Sequence, residues 1–116
     1  LESVAAIEKL CIMALSVALQ VLQLTLGRDR QDLSADAVLD KPRQHCLGQL
    51  APTLEGRTKK LKNPHPLGSL AWCAWLIARL GGWSGYRSQR PPGYQTLFRG
   101  LQQFEMMFTG WNLAHA

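Results

Sequence analysis

Acidic side chains are scarce in this sequence, and the second part of the chain has almost none. The 116 residues include 8 aspartates and glutamates against 13 lysines and arginines, a formal net charge of +5. Residues 1–40 carry −3, whereas residues 41–116 carry +8, because only Glu55 and Glu105 are acidic there. A surface of one sign attracts polyanions and speeds their encounter with the protein. The distribution predicts a polyanionic partner, with nucleic acid ahead of a membrane surface.

The sequence also lacks the residue patterns of an active site. It contains no nucleophile–base motif, no glycine-rich phosphate loop and no HExxH segment. Two-metal phosphoryl chemistry needs carboxylates that converge on a pair of ions, but Glu55 and Glu105 are 50 positions apart. The histidines and cysteines do not have metal-ligand spacing. We therefore expect no catalysis, no metal, no cofactor and no small-molecule substrate in this chain.

Cysteine is rare, and its arrangement argues against a disulfide framework. Cys11, Cys46 and Cys73 are odd in number, scattered and without a CxxC pair. This pattern favours reduced thiols in a cytoplasmic protein.

A long uncharged run, residues 10–26, raises the question of a membrane segment. A spanning helix needs about 20 strongly apolar residues, and this shorter run is interrupted by Ser16, Gln20, Gln23 and Thr25. A signal peptide begins with basic residues, whereas glutamates occupy positions 2 and 8. We interpret the segment as a buried core helix and expect no membrane partner.

Helical periodicity dominates the chain, and no segment alternates as a strand does. We predict an all-α single domain over residues 1–116, with about four helices near 2–27, 41–50, 67–80 and 94–114. Polar or basic loops are expected at 28–40 and 55–66. The first helix is apolar on every face, which predicts a central, buried position. Its end is expected at Gly27.

Capping and helix-breaking residues support these boundaries. Ser34 is a suitable N-cap for a short turn, and Asp40 with Pro42 predicts the start of the second helix. Pro52 and Gly56 predict its end, and Gly81-Gly82 stops the third helix. At helical spacing, Trp72 and Trp75, together with Trp83, are expected in the core rather than in base stacking.

The last helix has an apolar stripe and a separate flank. The stripe consists of Leu97, Leu101, Phe104, Phe108 and Trp111, and it can pack either on the first and third helices or on a second copy. Two glycines within this helix cost roughly 1 kcal/mol each, which suggests close approach of another backbone. The predicted dimer interface is the flank made of Gly100, Met106, Met107, Gly110 and Leu113, because interfaces favour methionine and aromatics.

Two basic segments are the candidate DNA-binding residues. The first contains Arg57, Lys59, Lys60 and Lys62, and the second contains Arg87 and Arg90 beside two prolines. Arginine binds phosphate through two parallel hydrogen bonds, and lysine follows the backbone more loosely. The alternative interpretation is a pair of solvated loops. Arg79 is expected to have a structural role near the end of the third helix.

A family resemblance emerges from these motifs. The chain contains Ser69-Leu70-x-Trp72, the segment Ile77-Ala-Arg-Leu-Gly-Gly82, then a basic loop, then Leu97-Phe-Arg-Gly100, with a further Gly-aromatic pair at Gly110-Trp111. Upstream, residues 21–24 read Val-Leu-Gln-Leu. In this order the motifs resemble the C-terminal region of bacterial DDE cut-and-paste transposases encoded by insertion sequences, of the transposon-five type. Residues 28–62 match only loosely.

The resemblance implies a C-terminal fragment that dimerises through its last helix and holds transposon ends in a synaptic complex. The DDE carboxylates would precede Leu1, so the parent transposase would use Mg²⁺ or Mn²⁺ while this fragment would be non-catalytic. The partners would be the phosphate backbone of transposon ends and another copy of the chain, and dimer assembly with DNA only is compatible with the resemblance; the location would be the bacterial cytoplasm. The alternative function is a basic helical protein-interaction scaffold with no specific DNA role.

Overall fold

The computed structural model describes residues 2–56, 61–85 and 90–115, with the exception of the Glu2 side chain. Its four helices are α1 (Glu2–Gly27), α2 (Lys41–Leu54), α3 (Leu70–Leu80) and α4 (Tyr94–His115), with a short 3₁₀ turn at Ala35–Ala37. The predicted all-α fold is confirmed. In the part of the chain described, the only extended pairing is a single bridge between Ser34 and Ser69.

The caps explain where the helices begin. Ser34 accepts from the N–H of Asp36, Asp40 from that of Arg43, and Ser69 from that of Trp72. Each side chain satisfies a backbone donor that the first helical turn leaves unpaired. Because Ser69 is the cap, α3 begins at residue 70 and not near residue 67 as predicted.

The second helix is longer than the sequence predicts. It continues four residues past the expected end, through Pro52 to Leu54. Pro52 is exposed, and the helix closes beyond it, where the N–H of Glu55 donates to the carbonyl of Ala51 at 3.0 Å. A proline this close to a helix end removes one donor without preventing the last turn.

The central element is α3 and not α1. Residues Leu70–Ala78 of α3 are all buried, and this helix packs against α1, α2, α4 and the 3₁₀ turn. Trp72 and Trp75 are each 5% exposed, which confirms their prediction as core residues, and Trp83 packs against the core partly buried. The surrounding core side chains come mainly from α4 and from residues 35–47.

The prediction of a buried first helix is wrong for most of its length. Residues 3–16 are exposed on every side, and of the helix's hydrophobic side chains only Val21 and Leu24 are buried. At about 1.5 Å per residue the helix is about 39 Å long, and the molecule measures 56 Å along its longest axis. The helix forms with the apolar periodicity predicted, but periodicity does not say whether an apolar face is covered.

Within the described residues, Ser3–Gly27 is the one helix that is long and apolar enough to cross a membrane. The most apolar part of this helix is 17% buried. In length and composition this helix resembles both a membrane-spanning helix and the core helix of a soluble protein.

The backbones of α3 and α4 approach each other closely at two glycines. A Cβ added to Gly100 would come 1.8 Å from the carbonyl oxygen of Ile77, and one added to Gly81 would come 2.0 Å from that of Thr96. Neither position can hold a larger residue without moving a backbone. Gly100 therefore packs inside its own chain, and its prediction as a dimer-interface residue is wrong.

Candidate nucleic-acid interface and self-association surface

One arginine connects the residues that precede the two basic segments. Arg79 lies one residue before the end of α3, and its Nε donates to the carbonyl of Leu54 at 2.8 Å. Its Nη1 donates to the carbonyls of Trp83 and Ser84, also at 2.8 Å. The end of α2 and the start of the α3–α4 connection thus meet at a single guanidinium. The predicted structural role of Arg79 is confirmed.

The geometry of these contacts explains why this position holds arginine. A guanidinium is a planar fork of five donors that can serve several carbonyls at once, whereas an ammonium has no such fixed geometry. Gly85 lies against the stem: its backbone has φ +84°, and an added Cβ would be 3.2 Å from the Arg79 Cδ. The guanidinium also lies 6.0 Å from the ring of Trp75.

The basic residues follow these anchor points in the sequence. Arg57 is three positions after Leu54, and Arg87 is three positions after Ser84. The predicted site residues that fall outside the described part of the chain are Arg57, Lys59, Lys60 and Arg87. Lys62 and Arg90 lie within it, and both are exposed.

The described residues at the end of each basic segment are hydrogen-bonded to the rest of the fold. The Asn63 N–H donates to the Glu55 carboxylate at 2.6 Å, and the Asn63 side chain donates to the Trp72 carbonyl at 3.1 Å. In the second segment, Trp83 Nε1 donates to the Arg90 carbonyl at 2.9 Å. These bonds hold the backbone next to Lys62 and at Arg90, and the side chains of both residues are exposed.

A shallow groove at the start of α4 adds residues that the sequence analysis missed. It is lined by Tyr94, Gln95, Phe98 and Arg99 and has a volume of about 310 Å³. Tyr94 is 41% exposed and stacks on Phe98, with ring centroids 6.4 Å apart. Arg99 is exposed beside the two rings. The signal in the sequence was the i, i+4, i+5 spacing of Tyr94, Phe98 and Arg99, which places them on neighbouring faces of one helix.

The contact that Arg28 makes could not be predicted from the sequence, for a different reason. Its Nη1 donates to the carbonyl of Pro92 at 2.8 Å, a contact between residues 64 positions apart. Such a pairing depends on how the end of α1 packs beside the α3–α4 connection. No local pattern in the sequence indicates it.

Most cations that form ion pairs and most cations that do not lie in different parts of the described structure. The paired cations belong to the acidic part of the chain and to α2: Arg30 with Asp32 (2.7 Å), Lys41 with Asp36 (2.9 Å), and Arg43 with Asp40 and Glu105 (2.6 and 2.7 Å). The hydrogen bond from Arg30 lowers the pKa of Asp32 to about 2. Among the residues described, six cations have no carboxylate within ion-pair distance: Lys9 on α1, and Arg28, Lys62, Arg79, Arg90 and Arg99. The positive charge around the two connections is therefore not neutralised by those carboxylates.

The stripe on α4 packs within the chain. Leu97, Leu101, Phe104 and Phe108 are buried, and the Trp111 indole donates to Gln49 of α2 at 2.7 Å. Arg43 of α2 lies 4.4 Å above the Phe108 ring. Of the two interpretations left open by the sequence, packing on the chain's own helices is the one observed.

The flank of α4 lies outside this packing. Met106 is 73% exposed, Met107 42% and Leu113 77%, and nothing lies within 4 Å of a Cβ added to Gly110. These four predicted interface residues share an open surface. Because surface methionine and leucine gain by burial, this flank is suited to a protein contact.

No group of three or more metal-ligating side chains converges in residues 2–56, 61–85 and 90–115. Comparisons of the chain with protein-family models, with curated proteins and with solved structures find no match.

Proposed function

We propose that this chain is the C-terminal dimerisation and DNA-end-holding domain of a bacterial cut-and-paste transposase, and that it is non-catalytic by itself. The observation that supports this best is the Arg79 junction, which brings together the residues that precede the two basic segments. Two basic segments that begin at neighbouring points of the fold can bind the same phosphate backbone. The sequence motifs supply the transposase assignment.

The mechanism would be electrostatic and multivalent. Exposed Lys62 and Arg90, with Arg57 and Arg87 of the same segments, would bind phosphates of a transposon end. Pairing of two chains through the α4 flank would then bring two ends together. Linking two binding units raises the effective concentration of the second end without any new DNA contact. A divalent metal would act in the parent catalytic domain, in the bacterial cytoplasm.

The salt dependence of DNA binding tests the phosphate contacts. Each phosphate neutralised contributes about −0.9 to the slope of log K against log salt concentration. The double substitution Arg87→Gln and Arg90→Gln should make the slope shallower by about 1.8. Lys41→Gln is the matched control, because Lys41 is an exposed cation already paired with Asp36. A change half as large for Lys41→Gln, in proportion to the one charge removed instead of two, would show that only net charge matters and would refute the assigned site.

The α4 flank is tested separately, with DNA present and absent. Gly110→Arg adds a long charged side chain at the centre of the flank and should prevent the wild-type dimerisation that we expect light scattering to detect. Asn112→Arg adds the same charge to another exposed side of α4 and should leave it intact. If Gly110→Arg leaves the mass unchanged, the flank is not the interface.

The exposed apolar surface of α1 and α4 also suits a second function, a basic scaffold that binds an acidic protein. Steep salt dependence would accompany both functions, so it does not separate them. A competition experiment separates the two functions. If the chain holds DNA ends, transposon-end DNA should displace bound DNA at lower concentration than an unrelated polyanion such as polyglutamate. Equal competition by the two polyanions would favour the scaffold.

A further inference from the structure

The groove at the start of α4 has no part in the phosphate contacts proposed above. Its lining combines the rings of Tyr94 and Phe98 with the side chains of Gln95 and Arg99. The two ring planes are within 16° of parallel, with centroids 6.4 Å apart. Phe98 is partly buried and packs against the core, whereas Tyr94 is exposed. The core thus holds the inner ring, and the outer ring stacks on it as an aromatic platform that solvent reaches.

The charges on α4 favour an anionic ligand in this groove. Arg99 is exposed, and no carboxylate of the described residues lies within ion-pair distance of it. The one acidic residue of α4, Glu105, is bound to Arg43 at 2.7 Å. Glu105 also lies six residues beyond Arg99, about 9 Å further along the helix axis. The guanidinium that lines the groove is therefore available to a phosphate.

Two further cations lie on the chain that leads into the groove. Arg28 donates to the carbonyl of Pro92, two residues before Tyr94. Arg90 precedes Tyr94 by four residues, which places their backbones within about 14 Å of each other. Neither arginine is paired with a carboxylate of the described residues. A ligand with several phosphates would meet positive charge in the groove and on its approach.

We propose that this groove binds an unpaired nucleotide of a DNA strand, with the base stacked on Tyr94 and a phosphate bound to Arg99. Stacking on aromatic side chains beside basic residues is a general way to bind single strands, and it tolerates any sequence because every base has a π face. In a duplex, neighbouring base pairs cover both faces of a base and leave its edges accessible. The groove volume of about 310 Å³ is at the lower end of the range for small-ligand sites, which suits one nucleotide.

The proposed site deepens the function proposed above and rests on it for the choice of DNA as partner. Bases leave the stack most easily at the end of a duplex, where one side has no neighbour. A duplex bound through Arg90 would have its end close to the platform, because only four residues separate Arg90 from Tyr94. The groove would then distinguish a DNA end with unpaired bases from an uninterrupted duplex.

Strands with and without bases test the stacking. End-labelled oligothymidine of about 12 nucleotides is compared with an abasic strand of equal length by fluorescence anisotropy. One stacked base should make the dissociation constant of oligothymidine roughly five- to tenfold lower than that of the abasic strand. Tyr94→Leu should remove this difference, whereas Tyr94→Phe, which keeps the ring, should retain it. Circular dichroism verifies that both variants fold.

The contribution of Arg99 differs from that of Tyr94, because phosphates are present in both strands. Arg99→Gln should weaken the binding of both strands by the same factor and make the salt slope shallower by about 0.7, the value for one phosphate of a single strand. An unchanged slope overturns the phosphate contact. Equal affinity of the wild-type chain for the two strands overturns the base stacking, as does a Tyr94→Leu protein that keeps the difference.

A blunt duplex, and the same duplex with a short oligothymidine overhang, separate the two proposals. The overhang should lower the dissociation constant of the wild-type chain several-fold and leave that of Tyr94→Leu unchanged. If the duplex binds and the overhang adds nothing, the base site is wrong while the end-holding function stands. If oligothymidine binds through Tyr94 while the duplex does not bind, the base site stands and the end-holding function is wrong. A chain that binds neither DNA overturns both.

Discussion

Two glycines of α4 provide a matched test of how this fold is packed. Gly100 and Gly110 stand in the same helix and have the same low helix propensity, but their surroundings differ completely. An alanine Cβ at position 110 would meet nothing within 4 Å, whereas at position 100 it would lie 1.8 Å from the Ile77 oxygen and 2.8 Å from the Ile77 carbonyl carbon. Replacing each by alanine separates intrinsic propensity from packing.

The expected changes have opposite signs. Gly110→Ala should raise the free energy of unfolding by about 0.5–1 kcal/mol, because alanine restricts the unfolded chain and favours the helix. Ordinary contact with the Cβ at position 100 begins near 3.4 Å, so α4 would have to move about 1.6 Å (3.4 less 1.8) away from α3. Overpacking of this kind costs about 1–3 kcal/mol, and the propensity gain offsets part of it. The two variants should differ by roughly 2 kcal/mol.

Urea denaturation followed by tryptophan fluorescence measures both variants, since Trp72 and Trp75 are each 5% exposed in the folded chain. The samples should be dilute enough to be monomeric, so that an effect on assembly does not enter the comparison. The slope m should stay the same in both, which shows that the variants change stability and not the extent of unfolding. If Gly100→Ala proves as stable as the wild type, the close contact between α3 and α4 does not exist.

Two further predictions follow from buried and paired side chains. A thiol reagent should modify Cys11 alone in the folded chain and all three cysteines in denaturant. Cys46 and Cys73 are buried, and burial raises the pKa of Cys73 to about 12. Rapid modification of a second thiol in the folded state would contradict this prediction. A double-mutant cycle with Arg43→Met and Glu105→Gln should give a coupling free energy of about 0.5–1 kcal/mol, the upper range for partly exposed pairs. The reason is that the Arg43 guanidinium binds both oxygens of the Glu105 carboxylate, at 2.7 and 3.1 Å. The two side chains are 30% and 40% exposed. A coupling unaffected by 1 M salt would contradict an ionic origin.

Local signals in the sequence predicted the elements of this fold well. Ser34 and Asp40 mark helix starts because their side chains bind nearby N–H groups, and this requires no knowledge of distant residues. Gly27 and the Gly81-Gly82 pair likewise mark helix ends. The stripe from Leu97 to Phe108 predicted a buried face, and that face is buried.

What the sequence did not reveal depends on contacts between distant residues. The period of α1 indicates apolar faces but not whether another element covers them, so a projecting helix looked like a core helix. Gly100 looked like an interface residue because a helical glycine indicates close approach without naming the neighbour, which here is Ile77. The contact of Arg79 with Leu54 spans 25 positions, and no periodicity predicts a carbonyl as partner.

The projecting half of α1 has a consequence for the dynamics of the chain. Residues 3–16 gain no stability from the core described here, and helices of this length are marginal in water without tertiary packing. Amide hydrogen exchange in the monomer should therefore be fast at the start of α1 and slow progressively towards Val21 and Leu24, where opening requires disruption of the core. Covering the projecting half would slow exchange along the whole helix. Exchange in the first half of α1 would then report whether that half is covered, while exchange in the remainder would report the stability of the fold itself.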